Sequence, residues 1–155
     1  MPAPAPPPDP SLVEAVRALS RAARLLERSA GELTLPQYRV LSAVDSGTRR
    51  ASRLAERLTL GKPTVSASVD ALCRRGLLAR TAEHDGRATQ LALTGAGAHT
   101  LARVEDAMVA RLGDLVERSE DPGRLLEALM SLGAAIEELA EERAAAPHDD
   151  PVTTP

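Results

Sequence analysis

The sequence predicts a mainly α-helical α+β fold with one small β-hairpin, and three observations predict it. Over most of the chain apolar residues recur at steps of three and four, which is the helical period. The alternating period of a strand is confined to the flanks of an Asp-Gly pair, Asp85-Gly86, itself a strong hairpin signal. Two short amphipathic segments, over 52–58 and 62–75, meet at the turn Thr59-Leu60-Gly61 immediately before that hairpin. Helix, turn, helix and hairpin in this order make a winged helix-turn-helix. The second helix of such a unit has an N-terminal half that can enter a DNA major groove.

Taken in order, residues 1–10 carry Pro at nearly every second position and predict a tail without a core. Ser11 with Glu14 three residues on forms a capping box, so a helix is expected over 11–30. Its apolar or small residues, Leu12, Val16, Leu19, Ala23, Leu26 and Ala30, alternate steps of four and three. That seam suits either a partner helix or packing within its own subunit. Gly31 closes the helix. Thr34-Leu35-Pro36-Gln37 then opens another with a second capping box and Pro in the first turn, and Tyr38, Leu41 and Val44 supply its buried side.

Within the helix-turn-helix, Leu54, Ala55 and Leu58 form one buried face and Val65, Val69 and Leu72 the other, with small Ser68 beside them. The opposite side of the second helix carries Lys62, Pro63, Ser66, Ala67, Asp70 and Arg74. Its short side chains allow close approach to base edges. Lys62, Arg74 and Arg75 stand where flanking phosphates would be neutralised, and Arg53 joins them from the first helix. Thr64 and Ser66 are candidates for hydrogen bonds to bases, while Pro63 and Ala67 offer apolar contact to a thymine methyl. Gly76 ends the helix, Leu77-Leu78 starts a strand, and Thr89, Leu91 and Leu93 alternate on the return. The tip between them projects Arg87, which suits a minor groove, a salt bridge to Asp85, or both.

After the hairpin, Thr94 caps a helix expected over 95–118, with Leu101, Val104, Met108, Leu112 and Leu115 on its apolar side and a first turn weakened by Gly95 and Gly97. A last helix over 122–143 repeats the four-three rhythm at Leu125, Leu129, Leu132, Ile136 and Leu139. Residues 144–155 read as a second tail. The chain is thus one domain over 11–143, with the winged helix-turn-helix at 34–94 and helices over 11–30, 95–118 and 122–143 available for dimerisation.

These segments resemble the MarR family of bacterial transcriptional regulators. The carriers are Leu54-Ala55-Glu56-Arg57-Leu58, Lys62-Pro63-Thr64-Val65-Ser66, Val69-Asp70-Ala71-Leu72, Arg75-Gly76-Leu77-Leu78, and Asp85-Gly86-Arg87 followed by Leu93-Thr94. Two positions depart from the family pattern: His84 where wings often carry Arg, and Ala67 where many members have a long polar side chain. The resemblance implies a homodimer with flanking dimerisation helices, a double-stranded DNA partner and a short third strand over 48–51. It also implies release of DNA by a small organic ligand or by thiol oxidation. A ligand between the dimer helices and the DNA-binding lobe would meet Leu19, Ala23, Leu26, Tyr38 and Leu41, with Arg24, Arg39 or Tyr38 as polar handles. Cys73, beside Arg74 and Arg75, is either a thiolate sensor or inert packing.

Composition sets further bounds. The 155 residues include no Phe, no Trp and one Tyr, so the core rests on Leu, Val and Ala, and sharing helices between subunits would compensate. The net charge of −3 hides an asymmetry. Residues 48–90 carry nine basic side chains against four acidic, a balance of +5, whereas the chain from 101 onward carries five against thirteen, a balance of −8. A positive middle and an acidic end would orient the molecule on DNA. A lone Cys argues against a disulfide framework, and neither a secretory signal nor a membrane-length apolar run is visible, so a cytoplasmic location is expected. His84, His99 and His148 are scattered, with no nucleophile, metal-ligand spacing or Gly-rich phosphate cradle, so no enzyme activity, cofactor or metal is expected. The readings left are a ligand-released repressor on a pseudo-palindromic operator, a ligand-independent architectural DNA-binding protein, and a winged-helix module for protein–protein contact.

Overall fold

Asp9 and Pro10 set where the first helix starts: the Asp9 carboxylate accepts from the Ser11 N–H at 2.8 Å, and Pro10, which has no N–H to leave unsatisfied, takes the first helical position. The helix, α1, therefore runs Pro10–Ser29 rather than starting after Ser11. Glu14, expected to complete a capping box, instead pairs with exposed Arg17 one turn on. The computed structural model describes residues 9–58, 60–82 and 89–145. The other elements are α2 (Leu35–Asp45), α3 (Ala51–Leu58), α4 (Lys62–Arg74), β1 (Leu78–Ala82), β2 (Thr89–Leu93), α5 (Gly95–Glu117) and α6 (Pro122–Ala145). The last helix continues two residues into the expected tail. Nearly all of the 1–10 and 144–155 tails, and the wing tip with His84 and Arg87, lie outside the described residues.

The capping box predicted for α2 is present in both directions, Gln37 N–H to Thr34 Oγ1 and Thr34 N–H to the Gln37 side chain. At the other end the chain turns through Gly47, whose φ of +96° suits glycine, and the Thr48 N–H reaches back to the Ala43 carbonyl at 2.9 Å. The same arrangement ends α4. Gly76 adopts φ +70°, its N–H bonds the Cys73 carbonyl and the Leu77 N–H bonds that of Leu72, so the recognition-type helix stops abruptly and the wing begins.

One core forms where α2, α3 and α4 meet the base of the wing and the first turns of α5. Leu41, Leu54, Leu72, Val40 and Val65 are its fully buried centre, and Leu77, Leu78, Leu91, Leu101 and Val104 close it from the wing and α5. The two strands pair antiparallel, with Leu78 opposite Leu93 and Arg80 opposite Leu91. A third strand over 48–51 does not form. In its place the Leu91 N–H donates to the Arg49 carbonyl at 2.7 Å, fastening the wing to the turn before α3.

Gly97 has a purpose that its weak helix propensity hides. A Cβ at this position would stand 2.0 Å from the Leu77 carbonyl oxygen, so only glycine lets α5 pass this close to the start of the wing. Thr94 binds the same spot. Its hydroxyl donates to the Gly76 carbonyl at 2.6 Å and accepts from the Gly97 N–H at 3.0 Å, locking the end of α4 to the start of α5.

The three long helices behave differently. On α1 no residue is buried, and Leu12, Val16 and Leu19 of the predicted seam remain largely exposed. Val109 on α5 and Leu126, Met130, Leu132, Ile136 and Leu139 on α6 are exposed as well. No helix among the described residues is long and apolar enough to cross a membrane.

Candidate nucleic-acid interface

The candidate surface is built from α4 outward. Val65, Ser68, Val69 and Leu72 bury one side of this helix, which leaves the predicted residues Lys62, Pro63, Thr64, Ser66, Ala67 and Arg74 exposed on the other. Ser68 fits inside because its hydroxyl is satisfied by the Thr64 carbonyl at 2.8 Å. At the N-terminus Gly61 supplies no side-chain cap, so the orphan N–H groups of the first turn stay available for an anion. Pro63 sits in the first turn, where a missing N–H costs nothing.

Two charged positions read differently in three dimensions. Asp70 does not present an acid to a ligand; it holds Arg80 of β1 at 2.5 Å, a bond that pushes the Arg80 guanidinium further above its usual range and braces the wing against α4. Arg75, expected among the phosphate contacts, is turned the other way. It donates to both the carbonyl and the carboxylate of Glu32 at 3.0 Å, and Glu32 also pairs with Arg103 of α5. Arg75 therefore ties the recognition-type helix to the rest of the fold. Arg53 is exposed on α3 and lines a separate cleft, and Arg87 lies outside the described residues.

The N-terminus of α2 adds residues that the sequence reading missed. Thr34, Pro36 and Gln37 share a shallow open groove of about 450 Å³ with Pro63, Thr64 and Ala67. The capping box marks that helix start in the sequence, but its position beside α4 depends on how α2 packs.

The expected ligand handles are split. Arg24 is exposed on α1, whereas Tyr38 and Arg39 face the cleft between α2, α3 and α6; Leu41 is wholly buried in the core and Leu19 is exposed. Arg39 donates to the Leu58 carbonyl, capping the C-terminus of α3. The Tyr38 hydroxyl lies 3.5 Å from a Glu105 carboxylate oxygen, and burial together with that charge raises the phenol above its ordinary value of 10. Cys73 is a free, half-buried cysteine packed against the core.

Residues 32–88, spanning α2 to the wing tip, match the profile of the MarR family. Over these residues the winged helix matches the MarR family. Solved structures extend the likeness over the flanking helices. The chain is similar to the transcriptional repressor CouR bound to a 23-mer DNA duplex, at 28% identity and a TM-score of 0.70, covering 85% of this chain and 99% of that one. CouR bound to p-coumaroyl-CoA gives 28% identity and a TM-score of 0.62, over 77% and 88% of the two chains. A MarR family regulator from Rhodococcus sp. RHA1 shares the fold, with a TM-score of 0.70 at 17% identity over 79% and 91%. A sequence search of curated proteins gives no match.

Proposed function

We propose that this chain is a sequence-specific regulator of MarR type that binds duplex DNA as a homodimer, represses transcription from a pseudo-palindromic operator and is released by a small organic ligand. The observation that carries the reading is the outer face of α4, where Lys62, Pro63, Thr64, Ser66, Ala67 and Arg74 are exposed together and no part of the described chain covers them. One such helix makes too few base contacts for tight binding, whereas a two-fold pair reads half-sites about 34 Å apart. The exposed Leu12, Val16 and Leu19 on α1 and Met130, Leu132 and Leu139 on α6 support the pairing, since large apolar side chains repeated along a helix call for a cover. Repression and ligand release are supported by the similarity to CouR, a repressor observed with DNA and with p-coumaroyl-CoA.

The test selects bound fragments from genomic DNA with the purified protein and measures affinity for the best fragment against salt. A dimer touching several phosphates should lose affinity with a steep negative log–log slope, on the order of the number of phosphate contacts. A flat salt response with no selected fragment would leave the protein–protein module as the better reading. Binding to all fragments alike would favour the architectural one.

A further inference from the structure

A cleft of about 970 Å³ opens between α2, α3 and the C-terminal part of α6. Its α2–α3 wall presents five arginines, Arg39, Arg49, Arg50, Arg53 and Arg57, against one acid, Glu56. Such a cluster is held at a repulsive cost unless something anionic meets it. Three of the five are already engaged, Arg39 with the Leu58 carbonyl, Arg57 with the Thr48 hydroxyl at 2.8 Å, and Arg50 with a partner of its own. Each bond uses one of several guanidinium donors. The side chains of Arg49 and Arg53 make no ion pair or hydrogen bond among the described residues. The opposite wall, from α6, is mixed: Ile136 and Ala140 are apolar, while Glu137 and Glu141 form an acidic lip.

We propose that this cleft binds an organic molecule bearing a polyphosphate, its phosphates on the α2–α3 arginines and its organic part against Tyr38, Ile136 and Ala140. A single carboxylate would leave most of the positive wall unmet, whereas a polyphosphate offers several oxyanions to several guanidinium forks. The inference deepens the reading of an organic effector by giving it a charge class and a seat. It also gives release a physical route. Arg53 is shared with the surface expected to face DNA phosphates, so an anion held there competes with DNA for the same charge.

Two sources share this chemistry, a nucleoside triphosphate and a coenzyme A thioester, and the experiment separates them. ATP, coenzyme A and inorganic triphosphate are titrated calorimetrically into the purified 155-residue protein at matched ionic strength, with sulfate as the control. Saturable binding of ATP or coenzyme A, absent for sulfate and weakened about tenfold or more by Arg49→Gln or Arg57→Gln but retained by Lys62→Ala, is the expected result. ATP alone identifies a nucleotide site, coenzyme A alone a thioester site, and triphosphate alone would deny the organic part. No saturable binding, or binding that the arginine variants leave unchanged, overturns the proposal. Operator binding without any probe is measured in parallel. If it persists while no polyphosphate binds, the cleft assignment fails alone; if it is absent while arginine-dependent probe binding remains, the DNA-binding reading fails alone.

Discussion

Gly97→Ala offers a direct test of how the wing is attached. The new methyl would lie 2.0 Å from the Leu77 carbonyl oxygen and 3.0 Å from its carbon, about 1.4 Å short of ordinary contact at the first of these. Neither partner is a flexible side-chain end, so α5 or the start of the wing must move. Overpacking of this kind costs about 1–3 kcal/mol. The shift also endangers the bonds from the Thr94 N–H to Leu77 at 3.2 Å and from the Thr94 hydroxyl to Gly76, at roughly 1 kcal/mol each. Against this, alanine gains about 1 kcal/mol in helix propensity. The balance is a loss of about 2 kcal/mol, or roughly 4–8 °C in midpoint for a domain of this size. Thermal and urea unfolding measure it, with Gly113→Ala as the control. Gly113 lies in the same helix with nothing within 4 Å of its would-be Cβ, so that variant should gain up to about 1 kcal/mol. A Gly97→Ala protein as stable as Gly113→Ala would refute the close approach of α5 to the wing.

Other outcomes follow from the same structure. Lys62→Ala should weaken binding to all DNA sequences and make the salt slope shallower by about 1; an unaltered slope would remove Lys62 from the phosphate contacts. Ser66→Ala should change which operator is preferred more than it changes nonspecific affinity, measured by selection with both proteins. Met130→Asp, at a residue 75% exposed on a single chain, should lower the solution mass of the proposed dimer from two chains to one, and a mass still at two would take this part of α6 out of the interface. Tyr38 is the single tyrosine, so phenolate absorbance reports on it alone. Its raised value means that the unfolded chain ionises first, near pH 10. The stability contributed by the buried phenol is therefore full below that pH and lost as pH rises further, through the folded-state value. A titration midpoint at or below 10 in the folded protein would contradict the burial beside Glu105.

The legibility of the site followed the range of the forces that build it. Apolar spacing put Val65, Val69 and Leu72 inside and Lys62, Ser66 and Ala67 outside, because helical period alone decides which side of α4 can be buried. Local hydrogen bonding made the Thr34 cap and the Gly76 stop visible for the same reason. Asp9 was missed because two cap residues compete within three positions, and Asp9 with Pro10 outbids Ser11 with Glu14 through the proline's fixed geometry.

What the sequence by itself determined was therefore the order of elements, the face of each short helix that turns inward and the positive charge of the middle. All of these depend on residues within a few positions of one another. Tertiary structure alone decided where charges at long range are spent: Arg75 on Glu32, Asp70 on Arg80, and five arginines from α2, α3 and the turn between them on one cleft. A guanidinium in sequence has no direction, and only the packing of one helix against another gives it a partner.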